Sequence, residues 1–165
     1  MDNPYAAPTT PVKDPPPPPR SPILAVLAGV ATDIGGTIVA GLVISIVYAA
    51  TLASEGRSLE QIEQALTQID PSSGYFVVSL VVGFGFSVLG GYICARVARR
   101  EERRYAAIAA LLIVAIGLGM GGSSFGFWAN VGMALLSFVS VMLGGELGRR
   151  RNVAQTRKAG AASAA

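Results

Sequence analysis

The chain has 165 residues, of which 52% are hydrophobic and only 14% charged, and its formal net charge is +3. Soluble domains carry about 25% charged residues, and so few charges could not cover the apolar surface of a soluble fold of this size. Histidine is absent and Cys94 is the only cysteine. These two facts exclude an intramolecular disulfide, a histidine general base and a zinc site built from His or Cys ligands of one chain.

The order of polar and apolar segments predicts a membrane domain between two tails. Residues 1–22 hold most of the prolines, which predicts a disordered, partly polyproline II tail. Four apolar runs follow, each long enough to cross a bilayer as a helix. They cover residues 23–52, 74–98, 105–122 and 127–148. Residues 149–165 form a basic second tail, so the predicted fold is an all-α, four-helix transmembrane bundle over residues 23–148.

The segment 58–69 predicts a fifth, short helix between the first two runs. Ser58 and Gln61 have the spacing of a capping box, and Pro71 stops the helix. One face carries an apolar stripe made of Leu59, Ile62, Leu66 and Ile69. The stripe indicates an amphipathic helix that lies on the membrane surface or against the bundle.

The distribution of basic residues predicts the orientation. Of the 13 Lys and Arg residues, only Arg57 lies in the 54–73 loop, and the others lie in the tails and in the basic loop 96–104. The positive-inside rule therefore predicts that both termini are cytoplasmic and that the 58–69 helix is extracytoplasmic. Short basic clusters between apolar runs favour contact with anionic lipid headgroups at the basic loop, rather than with nucleic acid.

Small residues recur at four-residue intervals along the apolar runs, and this spacing is typical of helix contacts inside membranes. The packing positions that we predict are Gly41, Ser45, Ser79, Gly83, Ser87, Gly91 and Gly144. Gly144 lies on the fourth run, and we expect the first two spanning helices to pack through the others, which lie on them. Contacts between subunits are an alternative use for some of them.

Asp33 is the one acidic residue inside the first apolar run. Counting back from Leu52 places it at the inner membrane boundary, at a level similar to those of Arg96 and Arg149. A charge at that depth is costly unless it is paired or hydrated. One interpretation is a structural ion pair or helix-cap contact, and the alternative is a carboxylate that binds a proton or a cation.

The sequence contains the residue pattern of a catalytic motif, but not the structural context that the motif requires. Gly122-Ser123-Ser124-Phe125-Gly126 fits G-x-S-x-G, but that motif requires a strand-to-helix elbow and a histidine partner. The chain has no histidine, and the pentapeptide lies in a predicted turn between two helices. We therefore predict no enzymatic activity, no catalytic residue, no metal site and no cofactor.

Two passages resemble uncharacterised bacterial four-helix inner-membrane proteins. They are the start Asn3-Pro4-Tyr5-Ala6-Ala7-Pro8 and the stretch from Gly90 to Arg100, which has a GGYxxARxARR pattern. The segment Asp33-Ile34-Gly35-Gly36 is similar in character. The resemblance implies a location in the bacterial inner membrane and brings no catalytic residue with it.

Two functions are compatible with these observations. The first is a non-enzymatic protein that forms a homo-oligomer or serves as an accessory subunit of a membrane complex, and the small-residue ridges favour it. The alternative is a small transporter or channel subunit that uses Asp33. A transport pathway normally needs several polar groups, and the apolar runs offer few of them.

Overall fold

The computed structural model describes residues 21–68, 70–121 and 126–162. Within these residues it has five α-helices and no strand, which confirms the all-α prediction. The helices are α1 (Pro22–Ser54), α2 (Leu59–Thr67), α3 (Gly74–Ala98), α4 (Glu102–Gly121) and α5 (Phe127–Ala162). Most of the proline-rich tail and the predicted turn at 122–125 lie outside the described residues.

Three of the helices are long and apolar enough to cross a membrane. They are α1, α3 and the stretch Phe127–Thr156 of α5. Helix α4 opens with the charged residues Glu102, Arg103 and Arg104, and this leaves a shorter apolar stretch within the part of α4 that the structure describes. The fourth membrane crossing therefore stays a prediction.

Helix boundaries agree with the sequence at α3 and differ most at α5. The structure continues α5 to Ala162, beyond the end predicted at 148. The extension is rich in Arg, Ala, Gln and Lys, which have high helix propensity, and it contains no proline. Its first residues also contact α3 and α4. The start of the predicted basic tail is thus a continuation of the helix.

Helix α2 begins with the predicted capping box. The Ser58 N–H donates to Gln61 Oε1 at 3.1 Å, and the Gln61 N–H donates to Ser58 Oγ at 3.4 Å. The helix ends at Thr67, and the predicted last apolar position, Ile69, lies outside the described residues. Ile62 is buried where α2 packs against α1. The apolar stripe thus serves at least in part for contact with the bundle.

Helix α3 is the centre of the arrangement. It packs against α1 and α5, whose Cα atoms do not come within 8 Å of each other among the described residues, and it also contacts α4. We call one end of the bundle the basic end. It contains the end of α3, the start of α4, the start of α1 and residues 146–152 of α5. The opposite end, where α2 connects α1 to α3, is called the α2 end.

The buried core lies in the half of the bundle nearer the basic end. One cluster contains Ala25, Val26, Cys94, Ala98 and Ala109, and a second contains Ala110, Ile113 and Val141. Apart from Leu52 and Ile62, every buried residue in the described part of the chain lies in this half. Towards the α2 end, residues 114–119 of α4 and 127–139 of α5 contain no buried position.

Candidate functional site

Helices α1 and α3 cross at glycine. A Cβ atom built on Gly29 would lie 2.8 Å from Cys94 Cβ and 2.9 Å from the carbonyl oxygen of Gly90. A Cβ atom on Gly90 would lie 2.7 Å from the carbonyl oxygen of Gly29 and 3.0 Å from Asp33 Cβ. The two backbones are therefore in direct contact, and Asp33 lies at this contact.

Asp33 is 5% exposed, and its Oδ1 atom is buried without a hydrogen-bond partner among the described residues. Ser87 on α3 is the polar side chain that interacts with it. Gly90 precedes Arg96 by six residues, or about 9 Å along the helix axis. Asp33 therefore lies deeper in the bundle than the boundary position predicted from the sequence.

Arg96 does not reach Asp33. Its Nη1 atom donates to Asn152 Oδ1 at 3.1 Å and to Gln155 Oε1 at 2.8 Å, so the side chain is directed towards α5. The interpretation of Asp33 as the partner of an arginine is wrong for the described part of the chain, where no ion pair involves Asp33. The long arginine side chain reaches instead the polar groups of the α5 extension.

Asn152 connects three helices at the basic end. Its Nδ2 atom donates to the carbonyl oxygen of Ala95 at 3.0 Å and to Glu102 Oε1 at 3.3 Å, and its Oδ1 atom accepts from Arg96. The Ala95 carbonyl also accepts from the Arg99 N–H at 3.2 Å, so the Asn152 amide is a second donor to it at the end of α3. Sequence reasoning missed Asn152, although asparagine inside a helix has a low propensity that suggests a specific contact.

Arg149 pairs with Glu146 rather than with Asp33. Its Nε and Nη2 atoms donate to the two carboxylate oxygens at 3.0 and 2.7 Å. The same carboxylate accepts from Arg150 Nε at 3.3 Å and from Arg103 Nε at 3.1 Å. The pair of Glu146 with Arg150 has the four-residue spacing that brings side chains together on one helix face. The long-range pair with Arg103 of α4 was not apparent from the sequence.

Two of the predicted packing glycines lie at the crossing of α3 and α5. A Cβ atom on Gly91 would overlap the carbonyl oxygen of Val141, and one on Gly144 would overlap the carbonyl oxygen of Val88. Ser87 is also buried. The expectation that Gly91 packs against the first helix is therefore wrong, since it packs against α5.

The remaining predicted packing residues lie towards the α2 end and make looser contacts. Ser45 Oγ and Tyr75 Oη are 3.0 Å apart and share a hydrogen bond, while Ser79 is half-buried. A Cβ atom on Gly41 or Gly83 would meet no atom within 4 Å. An i, i+4 row turns by about 40° at each step around a straight helix, so one row cannot face the same neighbour along its whole length.

Known proteins provide no further guide to the site. Comparison of the chain with models of protein families, with characterised proteins and with solved structures found no match. Over the described ranges, no group of three or more Cys, Asp or Glu side chains could hold a metal ion. Two features thus define the candidate site: the buried Asp33 at the crossing of α1 and α3, and the arginine-rich junction at the basic end.

Proposed function

We propose that this chain is a multi-pass protein of the bacterial inner membrane with four spanning helices and both termini in the cytoplasm. Its role is non-enzymatic: it associates with further copies of itself or with the subunits of a larger membrane complex. The observation that carries this proposal is the unfilled packing surface at the α2 end. The apolar, mostly exposed helix faces there suit lipid or another helix.

Helical glycines at the α2 end support association beyond a single chain. Gly41, Gly83, Gly117, Gly119 and Gly132 have no atom within 4 Å of a built Cβ among the described residues. Glycine inside a helix costs about 0.5–1 kcal/mol relative to alanine. Inside membranes, glycine allows helix backbones to approach closely. Helices of other chains that pack against the α2 end would explain why glycine occupies these five positions.

The mass of the complex extracted in mild detergent tests the proposal. We expect the wild type to be larger than one chain, and mass spectrometry to distinguish added copies from foreign subunits. Gly117→Leu and Gly132→Leu should dissociate the complex without unfolding the chain, because a Cβ atom at either position meets no atom of the described residues within 4 Å. Val139→Leu, at an exposed α5 position without glycine, is the control. A wild type that is monomeric in mild detergent and in native membranes would refute the association.

Thiol labelling tests the proposed orientation. The only native cysteine, Cys94, is buried, so it gives a low background. An impermeant maleimide added to intact cells should label Glu60→Cys, on exposed α2, but should label Gln155→Cys only after lysis. Equal labelling of both variants in intact cells would contradict the orientation.

A second candidate function is transport of a proton or a cation through Asp33. It is favoured by one observation, the buried Oδ1 atom that has no partner among the described residues. Protein reconstituted in vesicles should then carry an ion flux that Asp33→Asn abolishes and Asp70→Asn, a control outside the spanning helices, leaves intact. A flux that persists in Asp33→Asn would eliminate this mechanism.

A further inference from the structure

A cavity of about 450 Å³ lies between α4 and α5 at the basic end. Its floor is apolar and is formed by Ala106, Met142 and Gly145, while Arg103, Glu146 and Arg150 form its polar side. Gly145 lies so close to α4 that a Cβ atom built on it would be 2.6 Å from Ala106 Cβ. The floor is therefore a tight crossing of two helices, and it fixes the distance between the arginines.

The charges around this cavity do not balance. Arg103, Arg149 and Arg150 all bind the single carboxylate of Glu146, and the carboxylate of Glu102 also acts on Arg149. Three arginines against two carboxylates leave one positive charge in excess. Arg149 uses two of its nitrogens on that carboxylate. Arg103 and Arg150 each use only Nε. Their terminal nitrogens have no partner in the described part of the chain.

The two arginines with unused nitrogens are also the accessible ones. The side chains of Arg103 and Arg150 are 68% and 74% exposed, against 36% for Arg149. Because Glu146 holds both Nε atoms, the two guanidinium groups are positioned at the same cavity with donors available. Paired guanidinium donors match the oxygens of a phosphate group.

We propose that this cavity is a binding site for one anionic phospholipid, with the phosphodiester between Arg103 and Arg150 and the start of an acyl chain over Met142. Charge complementarity selects an anionic lipid, and the apolar floor beneath the arginines selects a lipid over a soluble anion. Basic pockets between helices near the cytoplasmic boundary are suited to such headgroups. The inference rests on the proposed membrane insertion, but not on the proposed assembly.

Lipid binding to the full-length protein in a neutral detergent tests the site. Native mass spectrometry should show one tightly bound phosphatidylglycerol, and phosphatidylcholine should bind at least tenfold more weakly. Arg103→Gln and Arg150→Gln should each weaken phosphatidylglycerol binding about fivefold, and the double variant about thirtyfold. Arg104→Gln is the matched control for Arg103→Gln, because it removes the same charge from the same first turn of α4 but does not line the cavity.

Three results would overturn the proposal. Equal binding of the two lipids would show that charge is not recognised, and an equal loss in Arg104→Gln would indicate a diffuse basic surface. If glycerophosphoglycerol, the headgroup without acyl chains, binds as tightly as the whole lipid, the site is an anion site and not a lipid site. Each result can be obtained whether the protein is monomeric or assembled, so failure here is distinguishable from failure of the proposed function.

A measurement on the wild type keeps the test valid if a variant does not fold. Phosphatidylglycerol with a photoreactive group near its glycerol should label peptides that contain residues 103–106 and 142–150. Excess unlabelled phosphatidylglycerol should suppress this labelling and excess phosphatidylcholine should not. Labelling spread evenly over the lipid-facing surfaces of α1 and α3 would overturn the site.

Discussion

Five glycines at the basic end and four at the α2 end have opposite environments. At the basic end, a Cβ atom on Gly29, Gly90 or Gly148 would come within 3 Å of another helix, and one on Gly91 or Gly144 would overlap a backbone carbonyl. At the α2 end, a Cβ atom on Gly41, Gly83, Gly117 or Gly132 would meet no atom of the described part of the chain within 4 Å. The residue type and its spacing are therefore insufficient to identify a contact, because the neighbouring helix must also be present.

The two ends also differ in how many helices their polar side chains connect. At the basic end, Asn152 and Glu146 each connect different helices through side-chain hydrogen bonds. At the α2 end, the contact of Tyr75 with Ser45, together with the stacking of Tyr75 on Tyr48, joins α1 to α3. Side-chain contacts thus connect α3, α4 and α5 at the basic end, and they connect α1 to α3 at the α2 end.

The largest effect is expected at the glycine crossings of the basic end. Gly144→Ala introduces a methyl group against the carbonyl oxygen of Val88, a backbone atom that cannot rotate away. We expect the free energy of unfolding to fall by about 3 kcal/mol, the upper range for overpacking. Denaturant titration of the purified protein in detergent, followed by circular dichroism, measures this change.

Gly117→Ala at the α2 end is the matched control. The added methyl group meets no atom among the described residues, and alanine is the better helix former. We expect a stability change between zero and a gain of about 1 kcal/mol. If the two alanine variants lose equal stability, the contrast between the two ends is wrong.

The second effect concerns the junction at Asn152. Asn152→Ala removes two donated bonds and one accepted bond, and it leaves the Ala95 carbonyl with one partner fewer. We expect a loss of about 2 kcal/mol, since each of the partially buried bonds contributes about 1 kcal/mol or less. The same denaturant titration measures it.

Gln155→Ala is the control for Asn152. Gln155 lies on the same helix and accepts one exposed bond from the same arginine, so its removal should cost less than half as much. Equal losses would mean that the junction depends on Arg96 alone and not on the connection to α3 and α4.

The sequence predicted the elements of this fold better than their contacts. The bounds of α3, the capping box of α2 and the helical character of all four apolar runs follow from local hydropathy, caps and prolines. The extension of α5 past 148 was missed because positive charge suggested a tail. Whether charged residues continue a helix there depends on contacts such as Asn152 with Ala95, which lie 57 positions apart.

The candidate site was predicted only in part for a similar reason. Asp33 stands out in an apolar run, and the structure places it at a crossing. The possible ion pair was inferred from estimated depth along the helices, and depth does not determine which side of α3 a residue occupies. Arg96 and Asp33 occupy different sides, so the arginine contacts α5 while the carboxylate contacts Ser87.

A smaller effect is expected at the tyrosine contact of the α2 end. Tyr75→Phe removes the hydrogen bond to Ser45 and keeps the ring that stacks on Tyr48, with centroids 4.6 Å apart. We expect a loss of at most about 1 kcal/mol, smaller than that of Asn152→Ala. Tyr75→Ala, which also removes the ring, should lose more. A loss in Tyr75→Phe as large as that of Asn152→Ala would show that the α2 end contributes equally to stability.

The smallest effect is a pH dependence at the start of α3. The Asp70 carboxylate accepts hydrogen bonds from the Ser72 N–H and from Ser72 Oγ, both at 2.8 Å. These bonds lower the pKa of Asp70 below its ordinary value of 3.8, because they favour the charged form. The stabilisation by these bonds is therefore complete above pH 3.8 and is lost as the pH falls through the lowered pKa.

NMR titration of the Asp70 carboxyl carbon should show a raised midpoint in Ser72→Ala, which loses the hydroxyl donor but keeps the backbone donor. An unchanged midpoint would mean that the hydroxyl bond does not form in solution. Because Asp70 is fully exposed, the ordering of this turn should change with pH while the global stability stays nearly constant, in contrast to the variants at the basic end.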